Sequence, residues 1–363
     1  MNNSELNLPL PARILLLGLG IIGLLTGIWA GLWRAGWMLP VPGAHFPEAH
    51  GPLMIAGFLG TLISLERAVA LRKAWPFIAP VLAGFGGVLL IVGAVPGLPN
   101  LAIAASSGVL SLVFFRLYRK DPELHYIIMG IGANLWLIGN ILWLRGFPMP
   151  QVVHWWAGFL ILTIAGERLE LSRVLQPKRR VRQTFIGIVA FYVVALVISV
   201  GWFDTGVRLS GVALLSLAAW LFRYDLAMRS VKQRGLSRFM ALALIIGYLW
   251  LALAGALTIY AGAATAGYLY DAILHATFVG FVFSMIFGHA PVIFPVVLKL
   301  QVAYRASFYV HLVLLHLSLI LRIGSDLFAS DPIRLAGSLL NGVAILLFLY
   351  NTITSVLDKK FSG

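Results

Sequence analysis

The chain has 363 residues, of which 60% are hydrophobic and only 11% are charged, and its formal net charge is +14. This composition excludes an ordinary soluble domain of this size, which would need far more polar residues on its surface. Cysteine is absent from the sequence, which excludes disulfides, thiolate metal sites, iron–sulfur clusters and covalently attached c-type haem. A metal or haem would therefore be held by His, Met or carboxylate side chains.

Twelve apolar stretches follow one another along the chain, each about twenty residues long, which is the length that crosses a hydrocarbon core. They lie near residues 11–33, 48–70, 75–95, 99–118, 124–145, 151–172, 183–203, 207–226, 237–262, 270–295, 304–323 and 333–355. The segment before the first stretch lacks a small-residue cleavage site, so we expect this span to be retained. The sequence therefore predicts an all-α integral membrane protein with one twelve-helix domain over residues 1–363.

The basic residues are distributed unevenly between the predicted connections. With both termini in the cytoplasm, 22 of the 27 Lys and Arg residues fall on the inner side. The five on the outer side are Arg34, Arg145, Arg208, Arg322 and Arg334. This distribution follows the positive-inside rule. It explains the net charge by topology, argues against nucleic acid as a partner, and predicts a multi-pass protein of the inner (cytoplasmic) membrane.

The first span carries a row of small residues. Within GLLTGIWAG, the residues Gly23, Gly27 and Gly31 are spaced four apart and so share one helix face. Such a face lets a second helix approach closely in a membrane. The row therefore predicts a helix contact.

An internal repeat links the second and sixth spans. GFLGTLISLERAV (57–69) and GFLILTIAGERLE (158–170) share Gly-Phe-Leu and, nine residues after that glycine, Glu-Arg. We expect structural ion pairs at these inner span ends, Glu66 with Arg67 and Glu167 with Arg168, in which the arginine reaches the membrane interface. A proton or quinol role for the glutamates is the alternative.

Every fourth span from the second onward carries a histidine near its predicted outer end. His50, His154 and His275 head the second, sixth and tenth spans, and His45 lies in the loop before His50. An imidazole in a low-dielectric helix bundle is costly unless it is hydrogen-bonded or coordinated. Two such side chains that face one another suit six-coordinate haem iron, and a third suits copper or a substrate. Hydrogen-bonded histidines at the membrane interface are the alternative.

Three of the four remaining histidines admit structural explanations. His289 precedes Ala-Pro, so we expect it to hydrogen bond to a carbonyl of its own helix, with proton transfer as the alternative. His311 and His316 are five residues apart and therefore lie on different sides of a helix, which makes them poor joint ligands.

Two segments resemble subunit I of the heme-copper oxidases. The second span begins with HGPLMIAGF (50–58), which resembles the start of that fold's second helix, where an axial ligand of the low-spin haem stands. HATFVGFVFSMIFGHAPVIFPVV (275–297) resembles the tenth helix, where the other ligand precedes a Phe-Pro pair by nineteen residues, as His275 precedes Phe294 here. Residues 275–288 are also similar to the NnrS family, haem- and copper-containing twelve-helix proteins linked to nitric oxide response. The resemblance implies a heme-copper oxidase subunit I-like pseudo-threefold bundle and one haem b, held by His50 and His275.

Departures from the oxidase pattern concern the oxygen-reducing centre. The position of the ligand to the high-spin haem is Ile273, and the seventh span has no pair of copper-binding histidines. The sixth span has His154 but no His-Pro-Glu-x-Tyr pattern. The resemblance therefore implies a low-spin haem without a complete binuclear centre, with His154 and His45 as ligands for a second metal, for which copper is the candidate.

The resemblance also assigns two arginines. In the oxidases, the loop between the last two spans supplies arginines to the haem propionates. Arg322 and Arg334 flank that loop here, so the resemblance implies that they bind propionates as charge-assisted donors. Arginines of an exposed loop are the alternative.

The leading hypothesis is a b-type haem protein of the NnrS or heme-copper kind that acts in electron transfer or nitric oxide response. A bis-histidine haem has no open position, so it transfers electrons unless one histidine dissociates. Alternatives are a cofactor-free proton or metal transporter with a histidine-lined outward pathway, a quinol-oxidising cytochrome, and an assembly subunit of a respiratory complex. The expected partners are haem, the lipid bilayer, nitric oxide or quinol, and a respiratory-chain protein.

Overall fold

The computed structural model describes residues 7–300 and 302–361, and within them it is helical and contains no strand. Twelve of its helices are long and apolar enough to cross a membrane. They are α1 (Leu10–Ala35), α2 (Phe46–Leu71), α3 (Trp75–Val92), α4 (Leu98–Lys120), α5 (Leu124–Leu144), α6 (Met149–Leu175), α7 (Arg179–Gly201), α8 (Phe203–Tyr224), α9 (Leu236–Ala261), α10 (Gly267–Leu298), α11 (Phe308–Leu327) and α12 (Asp331–Phe361). The predicted all-α class and helix number are confirmed. The predicted cytoplasmic termini include residues 1–6 and 362–363, which lie outside the described part.

The ends of α1 and α3 follow local turn chemistry. Gly36 after α1, with φ of 113°, and Gly93 after α3, with φ of 67°, adopt left-handed conformations that are strained for residues with a side chain. The eleventh helix ends at Leu327, four residues later than the predicted end at 323. Arg322 therefore lies inside a helix and not at its edge.

The chain divides into two compact units. The first comprises Met1–Phe159 and Ile293–Leu300. In it, α1, α2 and α3 approach closely at glycines: a Cβ on Gly23 would lie 2.9 Å from the backbone of Gly57, and one on Gly87 would lie 3.1 Å from the Gly57 Cα. The contact predicted from the glycine row of α1 is confirmed at Gly23.

The second unit comprises Leu160–Val292 and Gln301–Gly363. Its helices also meet at glycines, because a Cβ on either Gly211 of α8 or Gly255 of α9 would lie 2.8 Å from the carbonyl oxygen of the other. A Cβ on Gly337 of α12 would lie 2.8 Å from the backbone nitrogen of Arg322 on α11. These contacts let polar side chains on neighbouring helices reach one another inside the unit.

Two of the twelve helices contain a stretch of π-helix. In α2 it runs over Leu53–Gly60, and in α10 over Ala276–Phe283, eight residues in each case. By contrast, α6 is α-helical over Met149–Ser172. π-Helix is rare and occurs frequently at functional sites. Local geometry therefore groups α2 with α10, whereas the sequence repeat groups α2 with α6.

Candidate functional site

His50 stands three residues before the π segment of α2. Its Nδ1 lies 2.7 Å from the carbonyl oxygen of Gly27 on α1. Because a carbonyl only accepts, Nδ1 carries a ring proton, and in the neutral imidazole Nε2 then carries the lone pair. A Cβ on Gly31 would lie 2.6 Å from the ring, so the absence of a side chain there makes room for the imidazole. The hydrogen bond and the glycine together fix the ring in the tautomer that can coordinate a metal through Nε2.

His275 directly precedes the π segment of α10. Its Nδ1 donates to the carbonyl oxygen of Asp271 at 2.8 Å and lies 3.3 Å from Oδ1 of the same residue. The Asp271 carboxylate accepts two hydrogen bonds from Arg322 on α11, at 2.8 and 2.9 Å. A metal-binding histidine commonly donates its other ring N–H to a carboxylate or a backbone carbonyl, and Asp271 offers both to His275. The sequence analysis did not identify Asp271. Its position one helical turn before His275 could have indicated a carboxylate next to the imidazole.

The ring nitrogen of His289 that carries the lone pair accepts a hydrogen bond. Its Nδ1 donates to the Met285 carbonyl at 2.7 Å, as expected from the sequence, and its Nε2 therefore accepts from Nη1 of Arg168 at 3.2 Å. Arg168 also donates two hydrogen bonds of 2.8 Å to Asp225. The Arg168 side chain is buried inside the second unit, where Asp225 compensates its charge, and its position at the membrane interface stays a prediction. In the copy of the repeat on α2, Nη2 of Arg67 lies 3.1 Å from Oε1 of Glu66, so this ion pair is confirmed.

The two histidines of α11 adopt the opposite tautomer. Nδ1 of His316 accepts a hydrogen bond of 3.0 Å from the indole of Trp250, and an indole can only donate. Nδ1 of His311 accepts from the amide of Asn351 at 3.0 Å, and the same amide nitrogen faces the Ser307 carbonyl. In both rings Nε2 therefore carries the proton, so it cannot coordinate a metal without losing it.

Each π segment contains a glycine that is covered by a tryptophan of a neighbouring helix. A Cβ on Gly60 would lie 2.6 Å from the ring of Trp136 on α5, and one on Gly280 would lie 2.5 Å from the ring of Trp250 on α9. Both tryptophans are buried. The two histidine-bearing helices thus share a second local feature beside the π segment.

The two histidines predicted for a second metal lie in the first unit. His45 is exposed in the loop before α2, with Nε2 3.3 Å from the Ile91 carbonyl, and His154 is half-buried on α6. Among the described residues, no group of three or more His, Asp or Glu side chains is placed to hold a metal ion. The second metal at His154 and His45 stays a prediction. An axial haem site needs only two histidines, so it does not depend on such a group.

The two arginines predicted for the propionates have protein partners. Arg322 is buried and bound to Asp271, while Arg334, in the first turn of α12, donates to Asp331 at 3.0 Å and lies 5.3 Å from the ring centre of Tyr268. Arg322 is therefore not an exposed loop arginine, which was the alternative to a propionate role. A propionate contact by either arginine stays a prediction.

A buried carboxyl group lies beside the Asp271–Arg322 pair. Asp326, in the last turn of α11, is 4% exposed and interacts electrostatically with Asp271. Within the described residues, neither of its carboxyl oxygens receives a hydrogen bond. Asp326 was also missed by the sequence analysis, because its neighbour is 55 positions away, at 271.

Comparison with known proteins identifies a family. The model of a family described as "Domain of unknown function (DUF8744)" matches residues 13–357, which is nearly the whole chain. No curated protein sequence matches the chain.

Proposed function

Since the chain belongs to the DUF8744 family, whose description names no activity, we propose from its own residues that it is an inner-membrane protein that binds haem b. His50 and His275 are the axial ligands in this proposal, and the haem serves electron transfer or a nitric oxide response. The observation that carries it is shared by both histidines: Nδ1 donates to a backbone carbonyl and a π segment follows within three residues.

The histidines differ in how well they suit iron. A neutral imidazole coordinates through the nitrogen that lacks a proton, and outer partners on the other nitrogen fix the ring. His50 and His275 meet this condition at Nε2. His289 uses its lone pair on Arg168, and His311 and His316 hold their protons at Nε2. Among these five histidines, the tautomers therefore favour the two that the resemblance to the oxidases also selects.

The membrane setting and the fold are part of the same proposal. Twelve apolar helices and the positive-inside distribution favour a multi-pass protein with both termini in the cytoplasm. The number of helices, and the histidines on the second, sixth and tenth of them, favour a heme-copper oxidase subunit I-like bundle. In that setting His50 and His275 lie near the outer face, where an electron donor or nitric oxide would arrive.

When bound, haem supplies a one-electron couple whose potential depends on its ligands and surroundings. The residues of the chain orient and shield it. Gly27 and Asp271 hold the imidazoles of His50 and His275 by their Nδ1 protons. Apolar side chains of the π segments, such as Leu53 and Phe281, are buried and exclude water from the helix surface that follows each ligand.

The test is the visible spectrum of the purified protein after haem-replete expression, oxidised and then reduced with dithionite. Because both imidazoles are ligands, His50→Ala and His275→Ala should each abolish the sharp low-spin α band of the reduced form. His316→Ala is the matched control, because its Nε2 carries a proton, and it should keep the band. A wild-type protein without haem, or an unchanged band in either ligand variant, would overturn the assignment.

A cofactor-free proton transporter is the second candidate, and buried charges favour it. Ionisable residues inside apolar helices are expensive and usually functional. The second unit holds two such groups, Arg168 with Asp225 and Arg322 with Asp271. If the wild-type protein is colourless, proteoliposomes loaded with a pH-sensitive dye should show proton flux that Asp326→Asn abolishes. Flux that is equal in both proteins would reject this candidate.

A further inference from the structure

Six exposed arginines lie at one end of the second unit. Three stand at the beginning of α7, and one each stands in the last turn of α8, in the one-turn helix Ala227–Ser230 and in the first turn of α9. They are Arg179, Arg180, Arg182, Arg223, Arg229 and Arg238, and we call them the basic face. In the predicted topology this end of the unit faces the cytoplasm.

Contacts inside the unit hold these helix ends together. Near the end of α8, the indole of Trp220 donates a hydrogen bond of 3.1 Å to the carbonyl of Val181 at the beginning of α7. Directly after α8, Asp225 accepts a hydrogen bond of 2.6 Å from the backbone nitrogen of Ala227 and two of 2.8 Å from Arg168 on α6. The backbone that carries the basic face is therefore anchored, while its arginine side chains are exposed.

Among the described residues, no ion pair includes an arginine of the basic face. The sequence has no acidic residue from 173 to 182, and from 223 to 238 it has only Asp225, which is buried and bound to Arg168. Earlier on α6, Glu167 and Glu170 have interactions of their own. The connections on this side of the unit thus concentrate positive charge without exposed carboxylates in the same segments.

The opposite end of the same unit has a different arrangement. Three arginines there each pair with an aspartate: Arg208 with Asp204, Arg322 with Asp271, and Arg334 with Asp331. The positive-inside rule accounts for the sign of the charge on the basic face. It does not account for the difference in pairing, which leaves the guanidinium groups of one end to a negatively charged partner.

The chemistry of these side chains selects that partner. A guanidinium donates two parallel hydrogen bonds to a phosphate, and four to eight basic residues just inside a transmembrane helix are typical of a site for anionic lipids. The guanidinium carbon of Arg223 also lies 5.3 Å from the ring centre of Tyr224, and tyrosine is typical of the headgroup level. We infer that the basic face binds the phosphate groups of anionic phospholipids in the cytoplasmic leaflet. This inference rests on the membrane setting of the proposed function and does not involve haem.

Native mass spectrometry of the full-length protein in detergent tests the site. Titration with phosphatidylglycerol, and separately with phosphatidylcholine, gives the dissociation constant of the first lipid bound. The wild type should bind phosphatidylglycerol more tightly. The triple variant Arg179→Gln, Arg180→Gln, Arg182→Gln should weaken phosphatidylglycerol binding by at least about tenfold, because each basic residue near a phosphate surface adds to the attraction. Its affinity for phosphatidylcholine should equal that of the wild type.

The matched control removes the same number of positive charges from the end of α4 in the first unit. Arg116, Arg119 and Lys120 are exposed on the predicted cytoplasmic side, but Asp121 and Glu123 follow them directly. The triple variant Arg116→Gln, Arg119→Gln, Lys120→Gln should therefore bind phosphatidylglycerol like the wild type. Equal weakening in both triple variants, or a wild type that does not prefer phosphatidylglycerol, would overturn the inference.

A labelling experiment separates this failure from a failure of the proposed membrane orientation. Because the chain has no cysteine, Gln233→Cys in the connection between α8 and α9 provides a single site for a membrane-impermeant maleimide. It should react in inverted vesicles and not in intact cells, with and without the α7 triple substitution, which shows that the variant inserts like the wild type. Reaction in intact cells would overturn the orientation and the leaflet named here. The expected labelling together with equal lipid affinities would overturn the lipid site alone.

Discussion

Arg322 binds both carboxylate oxygens of Asp271, at 2.8 and 2.9 Å. The two residues lie on α11 and α10 and are 51 positions apart in the sequence. The pair joins two helices of the second unit and stands directly behind His275, so it serves both the stability of the fold and the orientation of a ligand.

Removal of one member of this pair should destabilise the protein strongly. Arg322→Met leaves Asp271 with a charge and no guanidinium, and breaking a buried ion pair in this way costs roughly 3–5 kcal/mol. We expect the lower end, about 3 kcal/mol, because the Asp271 side chain keeps 20% of its surface exposed. The free energy of unfolding in detergent measures the effect. The double variant Arg322→Met, Asp271→Leu should recover part of the lost free energy of unfolding. If its loss equalled the sum of the losses in the two single variants, the two residues would not interact.

Substitution of Asp326 should not destabilise the protein, in contrast to the loss of Arg322. Its carboxyl oxygens are buried beside Asp271 and receive no hydrogen bond from the described residues. An amide can donate to the Asp271 carboxylate and carries no charge, so Asp326→Asn should leave the free energy of unfolding unchanged or raise it by about 1 kcal/mol. Asp271→Asn, measured in the same way, should lower it. A strong destabilisation by Asp326→Asn would contradict the environment described for this side chain.

The glycines of the π segments should not tolerate a methyl group. Gly60→Ala and Gly280→Ala would drive a Cβ to within 2.6 and 2.5 Å of a tryptophan ring, and such overpacking costs about 1–3 kcal/mol. Gly187→Ala on α7 is the control, because a Cβ there meets nothing within 4 Å and alanine is the better helix former. Thermal unfolding of the three variants should separate the first two from the third; equal stabilities would show that the tryptophans do not pack on the π segments.

Gly31 should control the geometry of His50. In Gly31→Ala the new Cβ would lie 2.6 Å from the imidazole, so the ring must turn and the bond to the Gly27 carbonyl must lengthen. The reduced α band should broaden or weaken as the low-spin fraction falls. Gly18→Ala on the same helix meets nothing within 4 Å and should leave the band unchanged. Identical spectra for both variants would mean that His50 is not an axial ligand.

The sequence predicted the helices well because the signal for each is local. Every span is a continuous apolar run of sufficient length, and no contact between remote residues is needed to recognise it. The same holds for the pairing of Glu66 with Arg67, which are adjacent in the chain.

Long-range contacts were the part that the sequence did not reveal. The pairing of Arg168 with Asp225 was not predicted, because the two residues are 57 positions apart and meet only through helix packing. The support of His275 by Arg322 depends on the contact between α10 and α11 in the same way. The π segments after His50 and His275 have no signature in the hydrophobic pattern, because nearly all of their residues are apolar. The histidine tautomers likewise follow from these contacts and not from spacing.

The most direct test of the haem proposal is the visible spectrum of the purified wild-type protein beside His50→Ala and His275→Ala, oxidised and then reduced, after haem-replete expression. The wild type should show a sharp reduced α band, and both variants should lack it. A colourless wild-type protein, or a band that survives either substitution, would contradict it.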